Sequence, residues 1–134
     1  MKAKYNHQIS SFSKSNLYLD RQDVKKIDQL PVSVLKPNGP LFFGSVESLI
    51  NTYKNAPKHE TLIIDMDSVT MIDLSGAYAL EDLIKSVNER GIKVFVSHAK
   101  LDIEGVLKKV NFINNIGKEN YKSSKDLIAI VLNN

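Results

Sequence analysis

Residues 62–66, Leu-Ile-Ile-Asp-Met, and residues 92–96, Ile-Lys-Val-Phe-Val, are short apolar runs of strand length. Between them Ala77, Leu80, Leu83, Ile84 and Val87 recur at helical spacing as one apolar stripe. Gly91 stands where a left-handed residue would end that helix. This order constrains the chain more than any other feature. Neighbouring strands joined through a helix run parallel, because a two-residue hairpin cannot connect them. The expected class is α/β, with a mostly parallel sheet of four to five strands and about four helices.

The flanking segments fit that plan. Residues 32–35 and 41–43 are short apolar runs around Lys36-Pro37-Asn38-Gly39-Pro40, a turn-forming cluster. They read as a β-hairpin that adds one antiparallel edge. Ser45 is placed to cap a helix whose apolar positions are Val46, Leu49, Ile50 and Tyr53. Residues 55–60, with Pro57, read as a loop. Glu81 and Lys85 read as an exposed i, i+4 pair. Ile103, Val106, Leu107 and Val110 form a further helical stripe that ends near Asn111. Residues 112–121 look irregular, with room for a short strand. Ser123 and Asp126 fit a capping box ahead of residues 127–132, a last helix unless Ile128, Ile130 and Val131 make it a strand.

At 134 residues the chain has room for one domain of ordinary size. Residues 1–16 are polar with no apolar period, and residues 17–30 carry Leu17, Val24, Ile27 and Leu30 among charges. The expected division is a polar, basic linker or tail over residues 1–30 and a compact domain over 31–134. Charge follows the same boundary. Residues 1–30 hold six basic and three acidic side chains, whereas residues 31–134 hold twelve of each. The basic excess therefore belongs to the leading segment and gives no reason to expect a nucleic-acid partner. The longest apolar run is six residues, far short of the roughly 20 that span a membrane. Cysteine is absent, which excludes disulfides and thiolate chemistry.

Asp65 and Asp67 end a strand as Asp-x-Asp-x-Val, a spacing shared with phosphatases that use an aspartyl nucleophile. Such chemistry needs a later acidic pair for magnesium, and the only adjacent pair that follows is Glu81-Asp82, read as lying on a helix. The bland alternative is an aspartate whose carboxylate satisfies loop amides. A receiver-like pocket built from Asp65, Asp67 and Asp73 lacks an acidic pair after the first strand. His7, His59 and His98 show no metal-ligand spacing, and no metal or other cofactor is expected. Ser75 lacks the preceding glycine of an esterase elbow, since Asp73 stands there.

Asp73-Leu74-Ser75-Gly76 joins a strand to the start of the longest helix. Free amides and the positive end of the helix dipole favour an anion there, and Gly76 removes bulk where a backbone or a phosphate could approach. Plain capping by Asp73 or Ser75 explains the same residues and is the reading that the chemistry alone favours.

Residues 62–66 followed by Ile72-Asp73-Leu74-Ser75-Gly76-Ala77 and Ala79-Leu80-Glu81-Asp82-Leu83 resemble a STAS domain (sulfate transporter and anti-sigma factor antagonist). Gly39-Pro40-Leu41-Phe42-Phe43-Gly44 is similar to the second strand of the sulfate permease, or SulP, branch. The resemblance covers roughly residues 31–134. It implies the STAS fold and a protein-interaction module rather than an enzyme. It also implies a place on the cytoplasmic face of a membrane, as a domain of a sulfate or other anion transporter. The implied partners are the transporter's membrane domain or cytoplasmic regulatory proteins, including a kinase. The alternative is a free-standing anti-sigma factor antagonist phosphorylated at Ser75. Asp73, Leu74, Ser75 and Gly76 are the expected interaction loop, with Asp65 and Asp67 as supporting acidic residues.

Overall fold

The structure is a computed structural model and describes residues 6–11 and 31–122. The expectations for residues 17–30 and for the last element at 127–132 lie outside the described residues. Within them, β1 (Gln8–Ser11), β2 (Val32–Lys36), β4 (Thr61–Asp65), β6 (Lys93–Ser97) and β7 (Tyr121–Lys122) form one sheet in the order β1-β2-β4-β6-β7. The pairs β2–β4, β4–β6 and β6–β7 are parallel, and β1–β2 is antiparallel. The remaining strands, β3 (Gly39–Leu41) and β5 (Val69–Ile72), pair with each other in parallel as a second, two-stranded sheet.

Each parallel neighbour is reached through a helical crossover. The helix α1 (Phe43–Tyr53) lies between β2 and β4, and α2 (Leu74–Glu89) lies between β4 and β6. Between β6 and β7 come α3 (Leu101–Lys109), α4 (Phe112–Ile116) and a short 3-10 turn at Lys118–Asn120. The expected mostly parallel sheet with four helices is therefore present among the described residues. Leu35, Leu62, Ile64, Val94 and Val96 form one face of the sheet and join a core with Val46, Leu49, Leu80, Ile84, Leu107 and Phe112 from the helices. Val34, Ile63 and Phe95 share the other face in register and are buried too. Burial on both faces explains why these strands read as continuous apolar runs.

Several local expectations are corrected. The hairpin is absent: β2 and β3 belong to different sheets, and the antiparallel edge comes from β1 instead. At Gln8–Ser11 the leading segment is thus part of the sheet and not a free tail. His7 fastens it further. Its Nδ1 accepts from the Asn38 amide at 3.0 Å, so Nε2–H donates to the Ser45 carbonyl at 3.1 Å. Burial pushes the His7 pKa down, against the opposing effect of the Ser45 bond. Ser45 is not the cap residue but stands in the first turn of α1. Its buried hydroxyl accepts from the Phe42 amide at 2.7 Å and donates to the Phe42 carbonyl at 3.0 Å. The irregular stretch after Asn111 holds α4 as well as β7. Asn111 itself is left-handed, at φ 59°, which lets the chain leave α3 and start a new turn.

Glu81 is the largest departure. It does not face water with Lys85: it is only 7% exposed, and its Oε1 has no hydrogen-bond partner. Ala77, Glu81 and Ile84 share a flank of α2, and that flank is covered because α2 packs against α1, α4 and β6.

Candidate functional site

The site starts from strand pairing. Leu41 of β3 lies opposite Ile72 of β5, and the Asp73 amide donates to the Leu41 carbonyl at 3.3 Å. The chain then turns at once into α2, so the first helical turn passes directly over that carbonyl. Gly76 is the residue at the crossing. A Cβ built there would overlap the Leu41 carbonyl oxygen and stand 2.7 Å from its carbon. The close approach that Gly76 permits is therefore to a backbone.

Asp73 is the cap of α2, in an extended conformation at φ −102°. Its Oδ1 accepts from the Gly76 amide at 2.7 Å and from the Ser75 hydroxyl at 2.8 Å. The Gly76 bond first, and the Ser75 bond second, hold the Asp73 carboxyl below its ordinary pKa. Asp73 and Ser75 are exposed, and the Ser75 hydroxyl has its proton committed to Asp73. The structure brings together Asp73, Ser75 and Gly76 as one capping unit, with Leu74 projecting from it.

Several large apolar side chains are exposed in this part of the chain. Leu74 is 53% exposed, Tyr78 52%, Met71 48% and Phe43, at the start of α1, 60%. A groove of about 340 Å3 continues from Phe43 between α1 and α2, lined by Val46, Ile50, Ala79 and Leu83 together with the polar Glu47, Asp82 and Ser86. Exposed apolar side chains of this size are a feature that interaction sites carry.

Asp65 and Asp67 stand apart from this unit in their contacts. Asp65 is buried at the end of β4, where its Oδ1 accepts from the Asp67 amide at 3.0 Å and lies 3.6 Å from His98 Nδ1. It closes the turn after the strand, the role that local aspartate hydrogen bonding predicts. Asp67 is exposed. No group of three His, Cys, Asp or Glu that could hold a metal ion occurs among the described residues. Sequence reasoning missed His98, whose Nδ1 also lies 2.8 Å from the Ser97 hydroxyl and whose φ is 64°. Its contact to Asp65 comes from the end of the neighbouring strand β4, which no local pattern marks. It also missed Glu81, for which the available signal was its place four residues beyond Ala77 on the buried stripe.

Fold and site together define an α/β module with a side-chain-capped loop at the start of its longest helix. The family model described as "STAS domain" matches residues 16–127, and the chain belongs to that family. The low affinity sulfate transporter 3 of Stylosanthes hamata is 38% identical over 60 residues, which is 45% of this chain and 9% of that protein. The chain thus spans about a tenth of the length of such relatives. The STAS domain of a SulP transporter from Vibrio cholerae superposes with a TM-score of 0.62 at 26% identity, covering 87% of this chain and 85% of that one. A sulfate transporter family protein from Wolinella succinogenes gives 0.65 at 24% identity, covering 86% of this chain and all of that one. No helix of the described residues is long and apolar enough to cross a membrane.

Proposed function

We propose that this chain is the STAS module of a SulP-type transporter of sulfate or a related anion. It works at the cytoplasmic face of the membrane and binds other protein surfaces rather than transforming a substrate. The observation that carries the reading is the match to the Vibrio cholerae SulP STAS domain over most of both chains. The sulfate transporters among its sequence relatives support the same branch over the anti-sigma antagonists. The contact surface is the Asp73–Gly76 loop with Leu74, Tyr78, Met71 and Phe43 around it. Ser75 is its control point. A phosphate on Ser75 would remove the proton now given to Asp73 and add about two negative charges beside that carboxylate. The helix start would tolerate the charge, and an apolar partner surface would not.

Uptake of radiolabelled sulfate tests the reading. Removing this coding segment in frame, with flanking coding sequence intact, should abolish most uptake of sulfate or of a related oxyanion. Unchanged uptake of all of them would contradict it.

A further inference from the structure

At the opposite end of α2 from Ser75, about 24 Å away for a helix of 16 residues, lies a second concave feature. Its volume is about 320 Å3, and it is bounded by the end of α1, the loop that follows, and the turn into β6. Its charge is one-sided. Lys54, Lys58 and Arg90 line it, and no carboxylate does. The ion pairs among the described residues are His98–Asp65 and Lys108–Glu104, so none of these three cations is paired.

Lys54 and Arg90 directly follow α1 and α2, and helix C-termini attract cations. That accounts for two of the three. Lys58 has no helix end to serve, yet it is held to the same cavity by an organised loop. His59 Nδ1–H donates to the Pro57 carbonyl at 2.7 Å, which leaves Nε2 to accept from the Tyr53 hydroxyl at 2.6 Å. The two rings meet edge to face, with centroids 5.3 Å apart. Tyr53 is buried on α1, so the residues on either side of Lys58 are tied to that helix. The Arg90 charge also reaches this pair, opposing the rise that burial gives the Tyr53 pKa.

Three like charges lining one cavity, with no carboxylate among them, favour an anion placed between them. Two ammonium groups and a planar guanidinium suit an anion with several negative oxygens, and phosphate has that form. Ala56, Pro57 and Ile92 add an apolar wall beside the charged one.

We propose that the cavity bounded by Lys54, Lys58 and Arg90 binds a phosphate-bearing anion, either free in solution or displayed as a phospholipid headgroup. The site shares no residue with the Ser75 loop, so it stands or falls independently of the function proposed above.

The test titrates the full chain with pyrophosphate by calorimetry, and with phosphatidylcholine vesicles containing phosphatidic acid by co-sedimentation. Binding to pyrophosphate assigns a soluble ligand, binding to the vesicles alone a lipid headgroup. Lys58→Gln and Arg90→Gln should each weaken binding about tenfold, the effect of losing one charge-assisted contact. Both side chains are exposed, so both variants should melt like the parent. Lys109→Gln removes the same charge at the end of α3 and should bind normally. The proposal is overturned if neither probe binds, if Lys58→Gln or Arg90→Gln binds like the parent, or if Lys109→Gln weakens binding equally.

Discussion

Gly76 and Leu41 meet backbone to backbone: the first turn of α2 crosses the Leu41 carbonyl so closely that a single added methyl group has no room. The crossing fixes where α2 starts relative to the β3–β5 pair, and so where Asp73 and Ser75 stand. Gly76→Ala must shift backbone rather than a flexible side chain. It should therefore cost at least the roughly 1–3 kcal/mol of an overpacked core. Urea unfolding checks this, and a change under about 0.5 kcal/mol would show that the crossing is loose.

Leu80 of α2 is fully buried, whereas Leu83 of the same helix is buried but also lines the groove between α1 and α2. Leu80→Ala should cost about 2–5 kcal/mol. Leu83→Ala should cost less, because its site already opens to solvent. Equal losses in paired urea melts would place both residues in the same environment.

His7 makes the leading strand sensitive to pH. Its folded-state pKa lies below the unfolded value of 6.5, so the unfolded chain takes up a proton first as pH falls. The stabilising contribution is complete above pH 6.5 and is lost as pH drops through the lower, folded-state value. Thermal melts between pH 7 and 5 should show a fall that His7→Gln reduces. Deleting residues 1–11 removes both His7 and β1, and should lower the melting temperature by several degrees at neutral pH. An unchanged melt would mean that β1 adds nothing to the sheet.

The parts of this fold that were legible in sequence are those decided by local pattern. The β4–α2–β6 unit was readable because its strands are buried on both faces and Gly91 ends the helix at φ 83°. The Asp73 cap was readable because its bonds reach only two and three residues along the chain. What was missed depends on distant partners. Gln8, Ile9, Ser10 and Ser11 have no strand-like alternation, and they become β1 by pairing with β2 across more than twenty residues. The Pro-Asn-Gly-Pro turn looks like a hairpin from within. Its second strand pairs instead with β5, on the far side of α1 and β4. Glu81 looked solvated because a glutamate beside Asp82 is usually exposed, and the helix packed on that flank is remote in sequence.

Ser75→Asp replaces the hydroxyl that donates to Asp73 with a second carboxylate. Attraction to the helix start and repulsion from Asp73 nearly cancel at the surface, so stability should change by about 1 kcal/mol or less. A collapsed fold would mean that the Ser75 hydroxyl is required to form the cap.

The chain has no cysteine, so Ser75→Cys carries a photo-crosslinker at one defined point on the proposed contact surface. Cross-linking in native membranes, with Lys109→Cys as the control position, tests the contact directly. The expected product from position 75, absent from position 109, joins this chain to a membrane domain that carries sulfate or a related anion. A product that instead joins Ser75→Cys only to a soluble kinase or sigma-factor regulator would contradict the transporter reading.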